Sequence, residues 1–121
     1  NDAKVISDFH ALRADYDRLE LALYFLNLMN KVSQDGEVHN HNNFNLLGNA
    51  LKQAQSSSNL PLLKTLFEVK FLNYQGVLAP NEDYRLLLKT PLSDHESLKF
   101  STQDLSHLQR AIQFELTHLF S

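Results

Sequence analysis

The sequence contains no cysteine and no tryptophan among its 121 residues, and only three glycines and three prolines. Without cysteine, the chain cannot form a disulfide, a thiolate metal site or a cysteine nucleophile. That absence fits a reducing compartment. Glycine and proline interrupt regular secondary structure, so their scarcity between long stretches rich in Leu, Ala, Asn, Lys and Glu favours a helical protein.

Long apolar runs and blocks of positive charge are also missing. The longest apolar run, Leu21–Leu26, is far too short to cross a membrane. The net charge is −3 and the eleven Lys and Arg residues are scattered, which is a poor match for nucleic acid as a direct ligand. No phosphate-binding loop, nucleophile elbow or paired-histidine metalloprotease pattern occurs, so the sequence points to no catalytic residue and no cofactor.

The length suits one compact domain, and 43% hydrophobic residues are enough to build a core. We predict a single helical domain over residues 1–121, an all-α bundle of about five helices with a short N-terminal strand at Val5–Ile6. Because the chain begins with Asn and not Met, it is expected to be a fragment, a processed chain or a trimmed chain.

Apolar residues at helical spacing place the predicted helices at 15–32, 43–55, 60–75, 82–88 and 102–120. The first of these is apolar around most of its circumference, which predicts a central position in the bundle. Gly48 falls inside the second helix, where glycine costs about 1 kcal/mol relative to alanine. Close approach of a neighbouring helix is the expected reason for it.

Cap residues sharpen three of these helix boundaries. Asn59 is a good N-cap and Pro61 suits a first turn, so a helix should begin between them. Gly76 is the expected stop of the same helix. Ser101 and Asp104 form a capping-box pattern at the start of the last helix.

The stretch EVHNHNNF holds two histidines, His39 and His41, one residue apart. Zinc needs three or four ligands, and no cysteine can join them. We therefore interpret the stretch as a loop without a metal, in which Asn42 and Asn43 cap a helix that starts near Phe44.

The chain resembles a known family from Leu12 to Pro80. The pattern in the third helix and after it consists of Leu63, Leu66-Phe67-Glu68, Phe71-Leu72, Gly76 and Pro80. Upstream, the matching positions are Leu12, Arg13, Asp15, Leu19, Ala22 and Tyr24, followed by Phe44 to Leu47. In this order the segments resemble the C-terminal helical domain of the recombination mediator protein RecO. Residues 81–100 contain no cysteine, so the resemblance is to members that lack the four-cysteine zinc module.

The resemblance implies a cytoplasmic, non-enzymatic module of DNA repair that docks proteins and serves as a scaffold. The implied partners are RecR and the tail of single-stranded-DNA-binding protein, which is acidic and ends in an apolar residue. The family's N-terminal oligonucleotide-binding barrel, absent from this chain, would make most of the DNA contact. The alternatives from the residues alone are a free-standing helical interaction domain unrelated to DNA repair and a small helical enzyme.

A tail of that kind needs an apolar pocket and a cation for its terminal carboxylate. The expected partner-binding residues are Lys64, Thr65, Leu66, Val69, Lys70 and Leu72, with the two lysines as the cations. Thr65 stands where the family often carries a basic residue. The alternative interpretation is that the apolar members belong to the core and that both lysines are solvated.

Two further groups have a structural interpretation. Glu68 lies inside an apolar helix, and an unpaired buried charge is costly. We therefore expect its carboxyl to bind a neighbouring helix end, Arg13 or Arg18. We interpret residues 93–96, SDHE, as a polar loop cluster and not as a catalytic site. A serine nucleophile needs an oriented base, and spacing alone does not supply one.

Overall fold

A computed structural model describes the backbone of residues 2–33 and 41–121 and the side chains of residues 15–32 and 41–121. These residues form α1 (Asp2–Ser33), α2 (His41–Ala54), α3 (Leu60–Tyr74), α4 (Glu82–Lys89), a 3₁₀ helix (Leu92–Ser97) and α5 (Thr102–Leu119). No strand occurs within the described ranges. The prediction of an all-α bundle is confirmed.

The predicted N-terminal strand is wrong. α1 begins at Asp2, so Val5 and Ile6 lie in its first turns. Strand preference depends on a partner strand and a half-buried face, and the described part of the chain offers no strand to pair with. Two β-branched residues among helix-forming neighbours therefore continue the helix.

The predicted caps of α3 and α5 are confirmed. The Asn59 side chain accepts a hydrogen bond from the Leu62 N–H (3.2 Å), and the Ser101 hydroxyl accepts one from the Asp104 N–H (3.0 Å). Gly76 has a φ of +76°, a left-handed conformation that glycine adopts without a steric penalty. Local side-chain chemistry thus fixes where these helices begin and end.

The start of α2 differs from the prediction. Because the helix already includes His41, Asn42 and Asn43 lie in its first turn and not at its cap. The side chain of Asn43 accepts a hydrogen bond from the Gln75 amide (3.0 Å), which ties the start of α2 to the end of α3. His41 is exposed, and His39 lies outside the described residues.

The centre of the bundle is α3, which contacts each of the other helices. Nine of its 15 residues are buried. The Phe67 ring stacks on Phe25 of α1 (centroids 4.1 Å apart) and on Phe71 (6.1 Å). α1 and α3 therefore pack together, and α5 lies against α3.

The prediction that α1 is central is wrong. One face of the helix buries Leu21, Phe25 and Leu28, whereas Leu19 and Leu23 on the opposite face are more than half exposed. Apolar residues around the whole circumference indicate only that the helix could be buried on any side. Only the positions of its neighbours decide which side is covered.

Gly48 does not mark a close helix approach, because it is exposed and a Cβ added there would meet no atom within 4 Å. Gly48→Ala is therefore expected to raise the free energy of unfolding by about 0.5–1 kcal/mol, through helix propensity alone. Urea denaturation of the variant measures this change. Gly76→Ala is the matched comparison and should lower stability, since alanine is strained at that positive φ. A Gly48 variant no more stable than the unmodified chain would contradict the first expectation.

Candidate functional site

The predicted partner-binding residues of α3 divide into buried and exposed groups. Leu66, Val69 and Leu72 are 0% exposed and belong to the core, so they line no open cleft in this structure. Thr65 is also 0% exposed, and its hydroxyl donates to the Pro61 carbonyl (2.9 Å). These four residues support α3 from inside the bundle.

Lys64 and Lys70 lie at different clefts. The Lys64 ammonium is 4.9 Å from the centre of the Tyr24 ring, within range of a cation–π interaction. Lys70 donates to the Leu88 carbonyl (3.1 Å), and burial lowers the pKa of its amino group. It lines a small cleft of about 200 Å³ beside Asn45 and Tyr74. The structure therefore does not bring the two lysines to one carboxylate.

Lys64 lines the larger of the two clefts, about 700 Å³ in volume, between α1, the α2–α3 linker, the first turns of α3, and α5. We call it the Lys64 cleft. Its lining comprises Asp17, Arg18, Glu20, Leu21, Tyr24, Ser57, Ser58, Leu60, Pro61, Lys64 and Gln109. It combines apolar surface with two cations and with two acids on α1. This composition suits a peptide that carries both an apolar group and a carboxylate.

Arg18 also lines this cleft, and it was not among the residues that the sequence assigned to partner binding. Its Nη2 donates to the Ser57 carbonyl (3.1 Å), which fixes the guanidinium at the cleft wall. Its Nε is buried and has no hydrogen-bond partner among the described residues. A buried donor without a partner costs free energy, so the Ser57 contact is the hydrogen bond that holds this side chain in place. Nothing in the spacing of residue 18 relative to α3 indicates this position.

Beneath the cleft, Glu68 is 5% exposed and accepts a hydrogen bond from the Tyr24 hydroxyl. The expected partners were a helix end, Arg13 or Arg18. The observed donor is a tyrosine, Arg18 donates to the Ser57 carbonyl instead, and the side chain of Arg13 lies outside the described residues. Burial raises the pKa of the Glu68 carboxyl, and the Tyr24 hydrogen bond and the Lys64 charge partly oppose this. Burial, together with the Glu68 charge, also raises the pKa of Tyr24.

A second buried network joins the α2–α3 linker to the 3₁₀ helix. His95 is 1% exposed; its Nδ1 is 2.7 Å from the Leu92 carbonyl and its Nε2 is 2.6 Å from the Ser57 hydroxyl. A carbonyl only accepts, so Nδ1 carries the proton, and in the neutral ring Nε2 accepts from Ser57. The Asn59 N–H also donates to that hydroxyl (3.0 Å).

Glu96 extends the contact at the surface. Its carboxylate accepts from the Ser58 N–H (2.6 Å), and this bond lowers the pKa of Glu96. The polar cluster at residues 93–96, predicted as a loop, lies within the 3₁₀ helix Leu92–Ser97, and its His95 is buried in the bundle. Its hydrogen bonds hold the linker that carries Ser57, and hence one wall of the Lys64 cleft.

The described residues also bear on metal binding and on membrane insertion. Among the described side chains, no three His, Cys, Asp or Glu residues gather into a group that could hold a metal ion. Within residues 2–33 and 41–121, no helix is both long and apolar enough for a membrane span. The described residues form a small helical domain with a mixed apolar and charged surface cleft.

Sequence comparison then identifies the family. The family model for the C-terminal part of recombination protein O ("Recombination protein O C terminal") matches residues 13–83, more than half of the chain. The chain belongs to this family, and the resemblance found in its helices is confirmed.

A DNA repair protein RecO of Alkaliphilus metalliredigens (strain QYMF) is 36% identical over 70 residues. The aligned stretch covers 57% of this chain and 28% of that relative, so the match spans less than a third of the relative's length. No solved structure matches the chain significantly.

Proposed function

We propose that this chain is a non-enzymatic helical docking domain of a RecO-type recombination mediator in DNA repair. The observation that carries the proposal is the family match over residues 13–83, supported by similarity to a protein named for DNA repair. The predicted division of labour follows from the family resemblance. A barrel domain outside this chain makes most DNA contact, while the acidic helical domain, with its net charge of −3, docks proteins and acts as a scaffold.

The partner proposed for the Lys64 cleft is the acidic tail of single-stranded-DNA-binding protein, which ends in an apolar residue. Three features support this choice. Lys64 supplies a cation at the cleft, Arg18 supplies a second positive charge in its wall, and Leu60 and Pro61 supply apolar surface. Of the six residues predicted from sequence, Lys64 would contact the tail, and the buried ones would hold α3 in place. Docking of RecR and a cytoplasmic location remain predictions from the family.

Lys64→Gln is expected to weaken binding of a labelled acidic peptide that ends in Phe. One charge-assisted contact contributes about 1.5–3 kcal/mol, which corresponds to an increase in Kd of at least about tenfold. Fluorescence anisotropy titration measures Kd. Lys89→Gln is the matched control, because it removes an equal charge from an exposed position at the end of α4, and it should leave Kd unchanged.

The two parts of the proposal fail in different ways. If the unmodified chain does not bind the peptide, the partner is wrong. If Lys64→Gln binds it as tightly as Lys89→Gln does, the tail docks elsewhere on the domain. A peptide with an amidated C-terminus tests the carboxylate contact separately. It should bind the unmodified chain more weakly than the peptide with a free carboxylate does. The increase in Kd should be comparable to that caused by Lys64→Gln.

A further inference from the structure

Tyr24 lies between the Lys64 cleft and the core of the bundle. It lines the cleft from α1, and the Lys64 ammonium is 4.9 Å from the centre of its ring. Its hydroxyl donates a hydrogen bond to the carboxyl of Glu68, which is 5% exposed beneath the cleft. One side chain therefore contacts both a cation at the surface and an acid in the interior.

The hydrogen bond to Glu68 fixes the position of the Tyr24 ring. It joins α1 to the buried face of α3, across 44 residues of sequence. Loss of this contact would leave a buried carboxyl without its tyrosine donor, which costs free energy. The ring also lies against Phe25, with the two centroids 6.2 Å apart. The face of the Tyr24 ring is therefore held in one place beside the cleft.

Two attractions keep the Lys64 ammonium over this ring. A cation within about 6 Å of a ring centroid is attracted by the negative face of the aromatic system. Lys64 also lies one helical turn before Glu68 on α3, and its charge opposes the effect of burial on the pKa of that carboxyl. An ammonium has three N–H donors, so its contact with the ring leaves donors for a ligand.

We propose that Tyr24 is a positioning residue, which holds the Lys64 ammonium at the cleft so that it receives the carboxylate of a docked peptide. A lysine side chain loses rotamer freedom when it pairs with a ligand. Lys64 has lost part of that freedom before the ligand arrives, and preorganisation of this kind strengthens binding. The inference rests on the proposed docking of an acidic peptide and adds a residue that acts through Lys64.

A matched pair of double variants isolates the contribution of the ring. Both carry Glu68→Leu, which removes the buried acid and its need for a hydroxyl donor; one adds Tyr24→Phe and the other Tyr24→Leu. Replacing both members of a buried hydrogen-bonded pair by apolar groups can be nearly neutral for stability. Both chains should therefore keep the helical circular dichroism of the unmodified chain. They differ only in whether an aromatic face lies beside Lys64.

Nuclear magnetic resonance of lysines that carry isotopically labelled dimethyl groups reports the position of Lys64 without a ligand. Dimethylation keeps the positive charge, and the Lys64 signal is the one missing from the Lys64→Gln chain. Groups above an aromatic face are shielded. The signal should therefore lie upfield in the unmodified chain and in the Tyr24→Phe double variant, and should move downfield in the Tyr24→Leu double variant. Lys31, 4.8 Å from the centre of the Phe120 ring, is the internal control and should keep its shift in every chain.

Fluorescence anisotropy with the acidic peptide that ends in Phe tests the consequence for docking. Kd should be about threefold to tenfold higher for the Tyr24→Leu double variant than for the Tyr24→Phe one, as expected for loss of a cation–π contact. In chains that also carry Lys64→Gln, the two double variants should bind equally, because Tyr24 acts through Lys64. A purely structural role, or direct contact of Tyr24 with the peptide, would instead preserve the difference.

The outcomes separate this inference from the proposed function. If the Lys64 signal has the same position in both double variants, Tyr24 does not position Lys64 and the inference is overturned. A difference in Kd that persists without Lys64, or no difference with Lys64 present, also overturns it. If the unmodified chain does not bind the peptide, the proposed partner is wrong, and the Lys64 signal still decides whether Tyr24 positions the lysine.

Discussion

Phe67→Ala is expected to lower the free energy of unfolding by about 3–5 kcal/mol, the range typical of truncating a buried aromatic side chain. Phe67 is 0% exposed at the centre of α3 and stacks on both Phe25 and Phe71. Its removal leaves a cavity where α1 meets α3. Domains of this size have about 5–15 kcal/mol of stability in total, so the loss is a large fraction of it.

Urea denaturation followed by circular dichroism measures the effect as a change in midpoint at constant slope. Phe44→Ala is the control, because it deletes the same side chain from a position that is 77% exposed on α2. That substitution should change stability by no more than about 0.5 kcal/mol. Equal losses for Phe67→Ala and Phe44→Ala would show that the core does not centre on α3.

The second large effect concerns the buried pair of Glu68 and Tyr24. Glu68→Ala should lower the free energy of unfolding by about 1–3 kcal/mol, since it leaves the Tyr24 hydroxyl without its acceptor. Glu68→Gln keeps an acceptor for that hydroxyl and removes the buried charge. At neutral pH, we therefore expect the glutamine variant to be at least as stable as the unmodified chain.

The pH dependence follows from the direction of the Glu68 shift. Burial raises its folded-state pKa above the ordinary value of 4.5, so the folded protein binds the proton more tightly than the unfolded chain does. The resulting stabilisation is fully present below pH 4.5 and is lost as the pH rises through the raised pKa. Glutamine carries no such proton, so the advantage of Glu68→Gln should grow over that same interval.

Denaturation of both chains from below pH 4.5 to neutral pH tests this sign. Glu82→Gln is the control, because the Glu82 side chain is 84% exposed and therefore stays hydrated in the folded chain. The difference between that variant and the unmodified chain should stay nearly constant with pH. A Glu68→Gln variant whose relative stability falls as the pH rises would contradict the raised pKa.

Much of the local structure follows from short stretches of sequence. Asn59, Pro61 and Gly76 delimit α3 because a cap hydrogen bond, a first-turn proline and a left-handed glycine act within a few residues. Errors arose where local preference was weak. Val5 and Ile6 favour a strand only when a partner strand exists, and Gly48 had no neighbour to explain it.

The candidate site was only partly visible in the sequence. Lys64 was predicted and lies at a cleft, but the arrangement around α3 places Lys70 at another one. Arg18 joins Lys64 because the linker carbonyl of Ser57 anchors its guanidinium, and that contact spans 39 residues of sequence. Helical spacing shows which residues share a face of one helix and carries no information about which helix faces it.

The sequence by itself determined the helical class, the caps of α3 and α5, and the family, because each depends on residue order within or between helices. Only the tertiary structure decided which apolar face of α1 is buried, that Tyr24 is the partner of Glu68, and that Arg18 and Lys64 share a cleft. These outcomes depend on how helices distant in the chain pack together. Burial and pairing are properties of that packing and not of any single segment.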